Sequence, residues 1–143
     1  MNKVLFSSEK EDWETPEWLF EELDNEFNFT LDPCCSLENR KCKKYYTKEE
    51  DGLKQDWGGN HVFVNPPYGR KSTAEWIEKC YNEAQKKDTI VVLLIPARTD
   101  TKAFHEFIYN KAEIRFIKGR LKFGNSLNSA PFPSMICIFK SEK

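Results

Sequence analysis

One segment, Thr89 to Ile95, restricts the fold more than any other, because it is continuously apolar and is followed at once by Pro96. A strand without alternation of polar and apolar residues is typical of the centre of a parallel sheet, where both faces are covered. Shorter strands are predicted at 29–31, 61–64, 114–117 and 135–139. Helical segments alternate with these strands, so the sequence predicts an α/β domain with a largely parallel sheet.

Three helices are predicted between the strands. The first opens at Thr15-Pro16-Glu17, where Thr15 suits the N-cap and Pro16 the first helical position. Its predicted buried stripe consists of Leu19, Phe20, Leu23 and Phe27. Residues 72–75, Ser-Thr-Ala-Glu, have the pattern of a capping box and predict the start of the second helix, and residues 101–109 predict the third. Residues 36–46 predict either a short helix or an irregular crossover.

The composition of the 143-residue chain predicts one folded domain at 13–143, preceded by a flexible tail at 1–12. Lys and Arg number 22 against 23 Asp and Glu, which argues against strong nonspecific binding of nucleic acid. Basic residues nevertheless cluster at 40–44, 70–71 and 118–122. Five cysteines without a Cys-x-x-Cys pair, together with only two histidines, predict reduced thiols and no zinc site. No run is long enough for a transmembrane helix.

The most informative short motif is Asn65-Pro66-Pro67-Tyr68, directly after the predicted strand at 61–64. Two prolines end the strand because neither can donate a ladder hydrogen bond, and they stiffen the turn that follows. The Asn65 amide oxygen and the Pro66 carbonyl are two acceptors that can hold an amino group, and Tyr68 can stack on the ring that carries it. The alternative is a proline-rich loop in which the asparagine merely starts a turn.

Polar residues follow four of the predicted strands where each strand ends, namely Asp32, Asn65, Arg98 and Arg120. In sheets of this class, ligands bind outside the carboxyl ends of the strands. The sequence therefore predicts one shared site at this edge of the sheet.

A series of short motifs spans residues 13 to 139: Trp13-Glu14-Thr15-Pro16, Leu31-Asp32-Pro33-Cys34, Tyr45-Tyr46-Thr47, Asp51-Gly52-Leu53, Asp56-Trp57, Asn65-Pro66-Pro67-Tyr68, Pro96-Ala97-Arg98-Thr99-Asp100-Thr101, Gly119-Arg120-Leu121-Lys122-Phe123 and Ala130-Pro131-Phe132. In this order they resemble the S-adenosylmethionine-dependent amino-methyltransferases, and more closely the phage DNA N-6-adenine methyltransferase family. The resemblance implies a Rossmann-like methyltransferase sheet, mostly parallel with a final antiparallel strand and with helices on both faces.

The same resemblance implies the activity. The chain would transfer a methyl group from S-adenosylmethionine to the N6 amino group of adenine at specific sites in DNA, as one catalytic domain at 13–143. In duplex DNA the target base must first be rotated out of the stack. DNA with a flipped adenine would be the partner, in the cytoplasm of a bacterial host cell.

Residue roles follow from the matching motifs. The cofactor would lie against Thr15, Pro16, Asp32, Pro33, Cys34 and Asp56. The Asp32 carboxylate would approach the methionine amino group, and an aspartate that only caps a turn is the alternative.

The target adenine would be held by Asn65, Pro66, Pro67 and Tyr68, with Phe123 as a second aromatic wall. The residues expected to face DNA are Arg70, Lys71, Arg98, Arg120 and Lys122, and a salt bridge to Asp100 is the alternative for Arg98.

One departure and three alternatives accompany this interpretation. The turn after the first strand, residues 32–36, has no glycine, whereas many related enzymes place a glycine-rich turn against the cofactor there. A protein amide methyltransferase would use the same acceptors, a non-catalytic binding module could share the fold, and RNA could replace DNA. We expect no separate target-recognition domain, so selectivity would come from loops 69–72 and 124–133, a homo-oligomer or a specificity partner.

Overall fold

The computed structural model describes residues 13–124 and 128–141, so the predicted tail at 1–12 lies outside the described residues. Its helices are α1 (Glu17–Phe27), a 3-10 helix (Gly52–Lys54), α2 (Arg70–Ala84) and a π-helix (Phe104–Ile108). Its strands are β1 (Leu31–Cys35), β2 (Lys44–Thr47), β3 (His61–Val64), β4 (Ile90–Pro96), β5 (Glu113–Phe116) and β6 (Ser134–Lys140). None of the helices in the described ranges is long and apolar enough to cross a membrane.

The six strands form one mixed sheet in the order β2-β1-β3-β4-β6-β5. The pairs β1–β2, β1–β3 and β3–β4 are parallel, whereas β6 runs antiparallel to both of its neighbours, β4 and β5. The predicted α/β class and the antiparallel last strand are therefore confirmed. The apolar run forms β4, which lies inside the sheet with Val91 to Leu94 fully buried.

The first strand was predicted to stop at Asp32-Pro33, and this prediction is wrong, because β1 continues to Cys35. Proline is tolerated here because the pairing with β2 is irregular between Asp32 and Cys35, so Pro33 is not needed as a ladder donor. Residues 36–43 form turns rather than a short helix, and Tyr45-Tyr46 lies in the edge strand β2.

Helix α1 buries the predicted stripe Leu19, Phe20, Leu23 and Phe27 and ends at Asn28, which has a left-handed φ of 53°. The predicted N-cap was wrong by one residue, because Pro16 occupies the cap and no side chain caps the helix. The Thr15 hydroxyl instead accepts a hydrogen bond from the Asn65 side chain. The hydroxyl of Thr15 thus binds a residue of another segment instead of capping the helix next to it.

Helix α2 begins at Arg70, two residues before the predicted capping box. Gly69 occupies the N-cap, so Ser72 and Thr73 lie inside the first turn, where their hydroxyls donate to the carbonyls of Gly69 and Pro67. The third predicted helix is a π-helix that buries Phe104 and Ile108.

The two long helices cover opposite faces of the sheet. On one face, the Phe20 ring of α1 lies 5.2 Å from that of Phe63, and Arg115 of β5 reaches Glu26 of α1 at 2.7 Å. Arg115 pairs with Ile136 of β6, so the next residue, Cys137, points to the other face. There, α2 packs against β4 and β6, and burial and the Cys137 thiol both raise the pKa of Cys80 in α2.

Candidate active site

A cavity of about 510 Å³ opens at the carboxyl ends of β1 and β3. Its walls come from five parts of the chain: the segment before α1, the end of β1, the loop around the 3-10 helix, the turn after β3, and Trp76 of α2. The lining residues are Trp13, Glu14, Thr15, Asp32, Pro33, Cys34, Cys35, Ser36, Asn39, Thr47, Lys48, Asp51, Gly52, Leu53, Phe63, Asn65, Pro66, Pro67 and Trp76. A second, more open cavity of about 520 Å³ shares Cys35, Ser36, Thr47 and Lys48 with it.

The Asn65 amide is fixed in orientation at the wall of this cavity. Its Nδ2 donates to the Trp13 carbonyl at 2.5 Å and to the Thr15 hydroxyl at 2.8 Å. Its Oδ1 accepts the Tyr68 hydroxyl at 2.5 Å. Both amide hydrogens are thus used, while the oxygen, which has two lone pairs, can still accept a second donor.

Tyr68 is only 8% exposed, and its ring lies among other aromatic rings. The ring meets Phe123 and Phe132 at interplanar angles of 78°, and both phenylalanines also contact Trp13 edge to face. Burial raises the pKa of the Tyr68 hydroxyl well above its usual value, so the hydroxyl stays a donor. Tyr68 therefore fixes Asn65 and stabilises an aromatic cluster at the same time.

Asp32 is a buried carboxylate held mainly by two backbone N–H groups, with the Cys35 thiol as a further partner. Oδ2 accepts the N–H of Lys41 at 2.9 Å, and Oδ1 accepts that of Cys34 at 3.3 Å. Burial, which outweighs these hydrogen bonds, raises the pKa of Asp32 to about 6. The residue thus serves as a cap for the turn and also presents a poorly solvated acid to the cavity.

Residues 32–36 contain no glycine, and the glycine that closely approaches this segment comes from another part of the chain. Gly52 lies against the Pro33 carbonyl so closely that a Cβ at this position would be 2.0 Å from the oxygen. Its neighbour Asp51 has a φ of 57° and accepts the Leu53 N–H through its carboxylate. Both residues line the cavity, and neither was predicted to do so. Their position in the matching motif Asp51-Gly52-Leu53 was the available signal.

The structure separates the predicted cofactor residues into two groups. Thr15, Asp32, Pro33 and Cys34 line the cavity together. Pro16 is the N-cap of α1 and is not among the lining residues. Asp56 is not among the lining residues either, and its largely exposed side chain is paired with Lys86 at 2.8 Å.

Phe123, expected as a second wall for the base, is 1% exposed and belongs to the aromatic cluster. Arg70, Arg98 and Arg120 are exposed, and no ion pair joins Arg98 to Asp100 in the part of the chain that the structure describes. These three arginines follow β3, β4 and β5, which run in one direction. All three therefore lie in connections that leave the sheet at the carboxyl ends of these strands, where Asn65 also lies. No group of side chains suited to a metal ion occurs among the described residues.

Comparison with known proteins agrees with this geometry. Residues 3–142 match the family model described as DNA N-6-adenine-methyltransferase (Dam). The chain is 30% identical over 141 residues to the DNA N-6-adenine-methyltransferase of Haemophilus phage HP1 (strain HP1c1), an alignment that covers 93% of this chain and 80% of the relative. It is 36% identical over 111 residues to the enzyme of the same name from Escherichia phage T1, covering 76% of this chain and 45% of the relative. The chain therefore belongs to the DNA N-6-adenine-methyltransferase (Dam) family.

Proposed function

We propose that the protein is a site-specific DNA methyltransferase that transfers a methyl group from S-adenosylmethionine to the N6 amino group of adenine. The observation that carries this is the Asn65 amide, which three hydrogen bonds hold at the cavity wall, directly before two prolines. Family membership supports the reaction class. The sheet, in which β6 runs opposite to the other five described strands, is consistent with a Rossmann-like methyltransferase fold.

The cavity suits the cofactor in size and in chemistry. Its volume of about 510 Å³ falls within the roughly 300–1,000 Å³ typical of small-molecule sites. An amino group carrying a positive charge would favour the ionised form of Asp32, whose burial otherwise disfavours it. Thr15, Pro33, Cys34, Asp51 and Gly52 complete the set that would hold S-adenosylmethionine, which when bound supplies an electrophilic methyl group.

The chain's own task is to prepare the amino group of the target base. The nitrogen of an exocyclic amino group is weakly nucleophilic because its lone pair is delocalised into the ring. Acceptance of its two hydrogens by Asn65 Oδ1 and the Pro66 carbonyl would draw them out of the ring plane and localise that lone pair. Because no covalent intermediate with the enzyme is needed, the gain comes mainly from positioning.

Tyr68 is proposed to stack on the target adenine, as in the sequence-based interpretation. Since the ring is 8% exposed and packed against Phe123 and Phe132, a base can stack on it only after the ring turns out of the aromatic cluster. The same movement would release the Tyr68 hydroxyl from Asn65 Oδ1 and leave that oxygen to the substrate.

DNA is proposed to approach the edge of the sheet where Arg70, Arg98 and Arg120 follow three strands of one direction. Lys71 and Lys122 are exposed nearby in sequence and extend the positive rim. Phosphate contacts of this kind fix the position of the duplex but carry no sequence information. Selectivity would then come from loops 69–72 and 124–133 or from a partner subunit, and the second loop falls partly outside the described residues.

The test is transfer of a radiolabelled methyl group from S-adenosylmethionine, with DNA and total protein counted separately. The wild-type chain should label adenine in DNA, and Asn65→Ala should lose at least about a hundredfold in rate, comparable to removal of an electrostatic donor in other active sites. Binding of S-adenosylmethionine to Asn65→Ala, measured by calorimetry, should stay close to the wild-type value. Label in protein rather than DNA would favour an amide methyltransferase, and wild-type turnover by Asn65→Ala would disprove the assignment of the pocket.

A further inference from the structure

A buried ion pair lies on α2, outside the residues that line the cavity. Lys79 Nζ is 3.1 Å from Glu83 Oε2, and the two side chains are 16% and 7% exposed. Lys86, which is more exposed, contacts Glu83 Oε1 at 2.8 Å from the solvent side. Burial alone would raise the pKa of Glu83, but hydrogen bonds from Lys86, the Trp57 N–H and Lys79 outweigh it, so the pKa is lowered and the carboxylate is ionised.

Both members of this pair bind the backbone of the segment that follows the 3-10 helix. Glu83 Oε1 accepts the Trp57 N–H at 2.7 Å. Lys79 Nζ donates to the Gln55 carbonyl at 2.6 Å and lies 5.3 Å from the centroid of the Trp57 ring. The pair therefore fixes Trp57 by its main chain and by its ring.

Trp57 connects this pair to the cavity wall. Its indole Nε1 donates to the Gly52 carbonyl at 3.0 Å, and its ring stacks on Trp76 with a centroid distance of 6.0 Å. Gly52 and Trp76 both line the cavity, and Gly52 is the residue that lies against Pro33 without room for a side chain. A shift of Trp57 would thus move the wall that lies against Pro33 near the end of β1.

Stability alone is a weak reason to bury these charges. Desolvation of two ions is costly, and replacing a buried ion pair by well-packed hydrophobic side chains of similar size is often neutral or stabilising. What the pair contributes in exchange is directional hydrogen bonding to two backbone groups of one loop.

We infer that Lys79 and Glu83 are positioning residues for the cofactor, which act through Trp57 and Gly52 to hold the cavity wall beside Pro33. The inference rests on the proposed function, since it assigns this cavity to S-adenosylmethionine.

The decisive variant is the double replacement Lys79→Met/Glu83→Leu, which removes both hydrogen bonds to the backbone and leaves no unpaired buried charge at either position. The matched control is Lys86→Gln, which removes a partner of Glu83 and of the Asp56 side chain but none of the hydrogen bonds that Lys79 and Glu83 make to the backbone at 55–57, and Lys86 does not line the cavity. The Kd for S-adenosylmethionine should rise about tenfold in the double variant, as expected from the loss of one or two hydrogen bonds that set the wall. Its kcat at saturating cofactor and its KM for DNA should stay within about twofold, and the control should bind like wild type.

A Kd within about twofold of wild type in the double variant would overturn the inference, and so would an equal loss in Lys86→Gln. If the double variant fails to fold, Trp57→Phe tests the step from Trp57 to the cavity wall, because it keeps the ion pair and removes the indole donor to Gly52 together with part of the ring that stacks on Trp76. Wild-type affinity in Trp57→Phe would contradict the inference, and weaker binding with an unchanged kcat would support it. Failure of the wild-type chain itself to bind S-adenosylmethionine would refute the proposed function. Wild-type binding that the variants leave unchanged would refute only the role of Lys79 and Glu83.

Discussion

The buried Asp32 carboxylate makes a prediction about the pH dependence of stability. Its pKa is raised from 3.8 to about 6, mainly by burial, and the residue is 3% exposed. The folded state therefore binds the proton more tightly than the unfolded state does. The stabilisation that comes from protonated Asp32 is fully present below pH 3.8 and is lost as pH rises through about 6. Above that pH, Asp32 no longer makes the free energy of unfolding depend on pH. The difference in pKa corresponds to about 3 kcal/mol.

The substitution Asp32→Asn isolates this contribution, because the other carboxylates titrate alike in both proteins. The free energy of unfolding of Asp32→Asn, relative to wild type, should rise by up to about 3 kcal/mol between pH 4 and pH 7. Urea titrations at half-unit pH steps, extrapolated linearly to water, measure it. A difference between the two proteins that does not change with pH would refute the burial argument.

The same carboxylate links pH to cofactor binding. A cationic amino group beside Asp32 would lower its pKa, so binding near pH 6 should release a proton, and the Kd for S-adenosylmethionine should rise as pH falls below 6. Calorimetry in two buffers of different ionisation enthalpy measures the released proton. Asp32→Asn should bind more weakly and release none, and proton release that persists in this variant would place the cation elsewhere.

Three further substitutions or modifications follow from the cavity and the core. Gly52→Ala would put a Cβ 2.0 Å from a backbone oxygen, so the Kd for S-adenosylmethionine should rise at least about tenfold, whereas Gly58→Ala, which meets only flexible side-chain atoms at 3.1 Å and beyond, should bind normally. Phe123→Ala should lower the free energy of unfolding by about 3–5 kcal/mol in urea titration, and a loss of DNA binding without a loss of stability would show that it is a wall for the base. Alkylation of Cys34, followed by mass spectrometry, should slow when S-adenosylmethionine is bound. Burial raises the pKa values of the other four thiols, so they should react slowly with or without it.

Features determined by short stretches of sequence were predictable. The run at 89–95 was correctly predicted as a buried strand because nearly all of its side chains are apolar. The buried stripe of α1 was correctly predicted because apolar residues recur at helical spacing. The turn at Asn65 also followed from local chemistry, since two prolines allow few backbone conformations.

Features determined by distant partners were not predictable. Thr15 is a sound N-cap by local preference, yet its hydroxyl pairs with Asn65, 50 residues away. Pro33 stays inside β1 only because the register with β2 is irregular there. Asp56 was expected at the cofactor, but Lys86, 30 residues away, holds it on the surface. In each case the competing interaction forms only when the sheet has brought two segments together.

The Asn65 amide shows why the segment before α1 belongs to the active site. An asparagine at a strand end can point either its oxygen or its nitrogen toward a substrate, and only the oxygen can accept a hydrogen from an amino group. The Trp13 carbonyl and the Thr15 hydroxyl both bind Nδ2, so they select the orientation in which Oδ1 remains an acceptor. The Gly124 N–H donates to the Glu14 carbonyl at 2.9 Å and ties this segment to the chain that follows β5. The acceptor at the end of β3 is thus oriented by the segment before α1, which Gly124 in turn holds in place, because Asn65 and its two prolines cannot set the amide orientation alone.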